Sequence, residues 1–248
     1  MKKVLKKIAV AAAIAGAFTV ASATPVVGVA NLTIGQVVIR AGSVDWNNDP
    51  LNINPPPNGA AITRGDFAVI NTRTGSFLAG TPVFSAGTIR DLADPTIIPG
   101  DTGNAFPVGV ATDLNKFLTF AAQPNWLFHA TFLVPGTFGS PFTLTQVGAN
   151  VFASMTVNGY VCDDTNVSGS CDIGEDLTHW TGGFSAQYNN TTPNNLFGIL
   201  VGGGALQNNT WSATIEATAL PEPGSMALLG LGLVGLAATR RRIAKTVK

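Results

Sequence analysis

Trp211-Ser212-Ala213-Thr214-Ile215-Glu216-Ala217-Thr218 alternates without a break. Trp211, Ala213, Ile215 and Ala217 point one way; Ser212, Thr214, Glu216 and Thr218 point the other. Side chains alternate between the faces of a strand, so this is a half-buried strand with one wet face. Asn150–Val157 repeats the pattern, with Val151, Ala153, Met155 and Val157 inward. Trp126–Val134 is apolar on nearly both faces, apart from His129 and Thr131, and reads as a central strand. Further strands are expected at 32–40, 67–71, 76–78, 116–120, 142–147 and 183–188. Between them lie Asn54-Pro55-Pro56-Pro57-Asn58-Gly59, Pro99–Asn104 and Pro135-Gly136, all loop or turn chemistry. Thr72-Arg73-Thr74-Gly75 suggests a hairpin, and Gly202-Gly203-Gly204 a turn between the last two strands. No stretch of the body keeps an apolar helical period. Many short strands separated by turn signals predict an all-β body: an antiparallel β-sandwich or jelly roll over residues 24–220.

The ends differ from this body. Lys2, Lys3, Lys6 and Lys7 precede an apolar, Ala-rich run from Ile8 to Ala21, and Ala21-Ser22-Ala23 is a small-x-small cleavage site. Residues 1–23 therefore read as a signal peptide, a helix handled by the secretion translocon and removed by signal peptidase. At the other end, Pro221-Glu222-Pro223 precedes a short apolar helix, Met226–Ala238, and the basic run Arg240-Arg241-Arg242. The apolar helix falls short of the roughly 20 residues that span a bilayer comfortably. That length suits a transient inner-membrane anchor, with the arginines holding its end cytoplasmic.

Formal neutrality hides an acidic body. Residues 24–220 hold five basic residues (Arg40, Arg64, Arg73, Arg90 and Lys116) against 13 acidic ones, a net charge of −8. Such a body has no electrostatic footprint for nucleic acid and is repelled by an anionic membrane surface. In an exported chain, Cys162 and Cys171 are expected to pair as a disulfide.

The order Pro-Glu-Pro, apolar helix and basic stop at 221–248 resembles the PEP-CTERM sorting signal of bacterial envelope proteins. The resemblance implies recognition by an exosortase at Pro221, Glu222 and Pro223, with release or attachment of the body at the cell surface. It also implies company with exopolysaccharide and biofilm matrix. Within the body, Gly65-Asp66-Phe67, Thr74-Gly75-Ser76-Phe77, Gly87-Thr88-Ile89-Arg90-Asp91-Leu92 and Phe117-Leu118-Thr119-Phe120 resemble a β domain found in many such proteins. That likeness supplies a fold and no reaction.

Candidate chemistry is sparse. Asp164-x-Asn166-x-Ser168-Gly169 with Glu175 matches a calcium-loop pattern of alternating oxygen ligands around a glycine turn. Against it, no flanking helices are visible and Cys171 lies inside the loop; the other reading is a solvated acidic hairpin loop. Trp46, in the polar run Asp45-Trp46-Asn47-Asn48-Asp49, is the candidate carbohydrate contact. Neither G-x-S-x-G nor H-E-x-x-H occurs. His129 reads as a core or sheet-face histidine, and no catalysis is expected. The sequence thus predicts an exported, non-enzymatic surface or matrix protein without an obligatory cofactor. A carbohydrate-binding module, a calcium-stabilised adhesin and a surface hydrolase are the rival readings.

Overall fold

The computed structural model describes residues 24–46, 64–93, 104–137, 141–172 and 176–219. In chain order the elements are β1 (Gly28–Arg40), β2 (Ser43–Asp45), β3 (Arg64–Arg73), α1 (Gly75–Gly80), β4 (Ala86–Arg90), β5 (Leu92–Ala93) and β6 (Asn104–Ala105). They continue with β7 (Leu114–Phe120), β8 (Gln123–Leu133), β9 (Thr143–Val147), β10 (Asn150–Asp163), β11 (Thr178–Tyr188), α2 (Pro193–Val201) and β12 (Leu206–Ala219). The expected signal helix, its cleavage residues Ala21 and Ala23, and the C-terminal apolar helix lie outside the described residues.

Eight strands run antiparallel in the order β1-β3-β4-β7-β8-β10-β11-β12, and β12 then pairs with β1 from Gly28↔Ala217 to Ile39↔Leu206. The sheet closes on itself. The expected sandwich or jelly roll is therefore corrected to a closed eight-stranded antiparallel barrel. The strand alternation holds as read: Trp211, Ala213, Ile215 and Ala217 are buried while Ser212, Thr214, Glu216 and Thr218 are exposed. Alternation says which face is dry. It is the same for a strand in a sandwich and a strand in a barrel, so it is silent on closure.

An eight-stranded barrel has a lumen that side chains can fill. Here aromatic rings fill it. Phe77 lies 6.2 Å from Phe128, which lies 5.8 Å from Trp180. Trp180 stacks on Phe117 at 5.9 Å, and Phe117 meets Phe184 at 6.2 Å. Phe184 contacts Trp46 at 5.2 Å, and Trp46 contacts Trp211 at 5.9 Å. Ring pairs at these distances contribute about 0.5–1.5 kcal/mol each beyond their buried area.

The two ends of the barrel differ. One end carries Thr24–Val27, the β3–β4 connection with α1, the tight β7–β8 turn, the β10–β11 loop and the last strand residue, Ala219. The far end carries the longer connections that contain β2, β5, β6, β9 and α2. The expected strand at 76–78 is instead part of α1. Gly75 sits at φ 57° with its Cα against Gly28 and Val27, a position no side chain would fit. The chain turns in there and drops Phe77 into the barrel as a stopper, fully buried. The Gly202–Gly204 run lies between the last two strands as expected, at the end of α2, a helix the sequence reading did not include. Thr192 caps that helix by accepting from the Asn195 N–H, and Pro193 occupies its first turn.

Trp46 closes the far end. Gly65 passes so close to it that a Cβ there would lie 1.4 Å from the Trp46 carbonyl oxygen. Gly65→Ala is expected to lower stability in urea unfolding by about 3 kcal/mol or more, through overpacking against backbone. Gly183→Ala, with no atom within 4 Å of the new methyl, should change it by less than about 0.5 kcal/mol. Equal midpoints for the two variants would contradict this packing.

Candidate functional site

Trp46 is not a surface contact. It is fully buried, its rings meet Trp211 and Phe184, and its backbone N–H donates to Asp91 Oδ1 at 2.9 Å. The polar residues beside it suggested an exposed loop, but β2 points the ring back into the lumen. The carbohydrate role expected for Trp46 is withdrawn on this ground.

The disulfide forms as expected, Cys162 to Cys171, with Cα atoms 5.8 Å apart. The enclosed loop is organised by Asp164, which is buried. Its Oδ1 accepts from the Ser168 N–H at 2.9 Å and its Oδ2 from the Gly169 N–H at 2.7 Å. Asn166 Oδ1 also accepts from the Ser168 N–H, and its amide donates to Asp172 Oδ2 at 3.0 Å. The oxygens a calcium ion would need from Asp164 and Asn166 thus already serve N–H groups of their own loop. Glu175, the expected closing ligand, lies outside the described residues. Among the described residues no group of three or more His, Cys, Asp or Glu is placed to hold a metal. Hydrogen bonds from Asn166, then Ser168 and Ser170, hold the Asp172 carboxyl below the usual range. Burial, then the charge of Asp164, pushes Asp163 up. The loop is anchored to the barrel wall where Asn115 Nδ2 donates to the Gly169 carbonyl at 3.3 Å.

On the outer wall, one ladder row carries His129 opposite Tyr160 and Tyr160 opposite His179. Both histidines of the chain therefore flank one tyrosine. His129 Nδ1 lies 2.8 Å from Asp113 Oδ1, and the Tyr160 hydroxyl donates to Asp113 Oδ2 at 3.2 Å. The His129 and Tyr160 rings stack at 4.5 Å. With Asp113 accepting from Nδ1–H, Nε2 carries the lone pair, the orientation of a general base. That nitrogen is buried without a hydrogen-bond partner among the described residues. The sequence read His129 as a core or sheet-face histidine. It gave no sign of Asp113, which arrives from the connection before β7.

A groove of about 750 Å³ runs along the wall across β1, β3, β4, β7 and β8. Ala68, Ala86 and Gly87 keep its floor low, and Thr33, Thr88, Thr119 and Thr210 give it hydroxyls. The Thr88 and Thr119 hydroxyls share a hydrogen bond of 2.7 Å. Asp66 and Lys116 supply one charge of each sign, and a bulge in β7 sets Lys116 at φ 52°. The short motifs of the body meet here: Asp66-Phe67 lies in β3, Gly87-Thr88 in β4 and Thr119-Phe120 in β7, three adjacent strands. A second, much smaller cleft of about 40 Å³ sits between β9 and α2.

Pro221, Glu222, Pro223, Arg240, Arg241 and Arg242 lie outside the described residues, beginning two positions after the last paired residue of β12. Residues 219–242 match the PEP-CTERM protein-sorting motif. The chain carries a PEP-CTERM sorting signal. This signal implies an exported protein processed by an exosortase and sorted to the cell surface. No curated protein and no solved structure matches the chain. No helix among the described residues is long and apolar enough to cross a membrane.

The Tyr160–Asp113 contact has a titration signature. Burial first, then the Asp113 charge and its hydrogen bond, push the Tyr160 phenol up to about 12. An unfolded tyrosine ionises near pH 10, so the folded state holds this proton longer. The contribution is fully present below pH 10 and is lost as pH rises through about 12. Ultraviolet titration is expected to show one of the two tyrosines ionising late, and Asp113→Asn should bring it back toward the ordinary range.

Proposed function

We propose that the protein is a non-catalytic surface barrel that associates with extracellular polysaccharide through its outer groove. The groove carries this reading. It is open, and it presents threonine hydroxyls over a floor of alanine and glycine. Hydroxyl-lined, shallow surfaces recognise polyols by many modest hydrogen bonds, with apolar floor beneath the sugar ring. The acidic body favours a neutral or amino-sugar polymer over an anionic one. The signal would deliver the barrel first to the inner membrane and then to the surface or matrix.

Two experiments test this. Pro221→Ala with Glu222→Ala should leave full-length, membrane-bound protein in the native host; unchanged processing removes the sorting half of the reading. Ala86 is exposed on the groove floor, so Ala86→Trp fills the groove without touching the lumen. In gels containing a neutral polysaccharide such as dextran or in gels containing chitosan, the processed protein should be retarded. The Ala86→Trp form should migrate freely, with an unchanged melting temperature. Equal migration of the two forms in every gel removes the glycan half.

A further inference from the structure

The sorting motif begins at Ala219, and Ala219 is still hydrogen-bonded into the barrel, paired with Thr178 of β11. No linker separates the folded body from its label. Pro221 is two residues on, within about 7 Å of the ladder even if the chain is fully extended. Met226, where the apolar segment starts, is seven residues on, within about 25 Å. An enzyme that grips Pro221–Pro223 at the membrane must therefore meet the end of the barrel.

That end is not a neutral bystander. Leu78 of α1, Phe84 after it, and Val167 and Leu177 of the β10–β11 loop are exposed large apolar residues, Phe84 at 77% and Val167 at 74%. Phe84 and Val167 also have left-handed backbone, φ 61° and 57°, which is unusual for a bulky residue and rare for a β-branched one. Each is held there by its surroundings. Phe84 N–H donates to the Val69 carbonyl at 2.7 Å. Val167 sits in the loop closed by the disulfide and by Asp164. The same loop carries Asp163, Asp172 and Asp176, with Lys116 of the wall reaching it at Gly169, on a body of net charge −8. Anionic lipid headgroups repel such a rim, so its complement is a protein surface, apolar with basic groups around it.

We propose that this tail-bearing end, the rim of Leu78, Phe84, Val167 and Leu177, is a docking surface for the outward face of the sorting enzyme. The enzyme then reads a folded body together with the motif, and the docked barrel holds Pro221–Pro223 at a high effective concentration. The inference rests on the sorting reading above and adds a second contact to it. Val110, Val147, Ile199 and Val201 provide an internal control, since they are exposed apolar residues of the far end.

The test is pulse–chase of tail removal in the native host, using the full chain. Leu78→Ser, Phe84→Ser, Val167→Ser and Leu177→Ser combined should slow removal about tenfold or more. The far-end set, Val110→Ser, Val147→Ser, Ile199→Ser and Val201→Ser, should leave the rate unchanged. A 15-residue Gly/Ser spacer inserted between Ala219 and Leu220 leaves the rim intact and should slow removal, because it dilutes the docked motif. In the spacer background the rim set should have little further effect. An unaltered rate in the rim set overturns the proposal, and so does faster removal with the spacer, which would make the barrel end an obstacle. Binding of the released body to phosphatidylethanolamine–phosphatidylglycerol vesicles, lost in the rim set, would reassign the surface to lipid and overturn it too. Rim substitutions without effect, beside a blocked Pro221→Ala/Glu222→Ala chain, would sink the docking alone. A wild-type chain that keeps its tail would sink both readings.

Discussion

A barrel of eight strands must be filled, and what fills this one decides the rest of the molecule. Each strand turns alternate side chains inward, so the lumen receives residues from all eight at once. Aromatic rings occupy it from one mouth to the other, Phe77 at the tail-bearing end and Trp46 at the far end. Neither stopper belongs to a barrel strand. Each is delivered by a short connection that folds inward, and each demands room nearby: Gly75 where the chain turns into α1, Gly65 where β3 passes beneath Trp46. The column therefore ties connections at opposite ends to one set of packing contacts.

Filling the lumen has a functional corollary. With rings packed at 5–6 Å along its length, the interior among the described residues is filled by side chains. Recognition is displaced to the outside, where this protein has a hydroxyl-lined groove, a polar histidine–tyrosine row and an acidic, disulfide-closed loop. All three lie on β-strand faces or on the connections between them. Strand pairing and hydrogen bonds to the wall fix where these groups stand.

Local chemistry made much of this visible in the chain. The alternation in β10 and β12 gave their buried faces residue by residue, and the run of β8, apolar apart from His129 and Thr131, marked a central strand. The cysteine pair and the sorting tail were equally plain. What stayed hidden depends on pairing between distant residues. Closure of β1 on β12 has no local signature. Three residues of α1 cannot show a period, and they read as strand. Thr192-Pro193 did carry a helix-start signal, a cap followed by a proline, and Leu196 and Leu200 supplied the buried spacing. Trp46 misled because its sequence neighbours are polar while its spatial neighbours are rings. Asp113 could not be matched to His129 from sequence because the contact depends on how the connection before β7 folds back.

Closure of the barrel by its last strand also sets an order of events in time. Asn31 and Thr214 are hydrogen-bonded across a sequence separation of 183 residues, and the whole β1–β12 seam is of this kind. A chain threaded outward from its N-terminus can zip β10 to β11 early, with Cys162 and Cys171 brought together nearby. It cannot seal the barrel until β12 has emerged. Seams between distant segments form slowly, because long loops must close first. The barrel thus stays open until β12, the strand that runs into the sorting motif, takes its place.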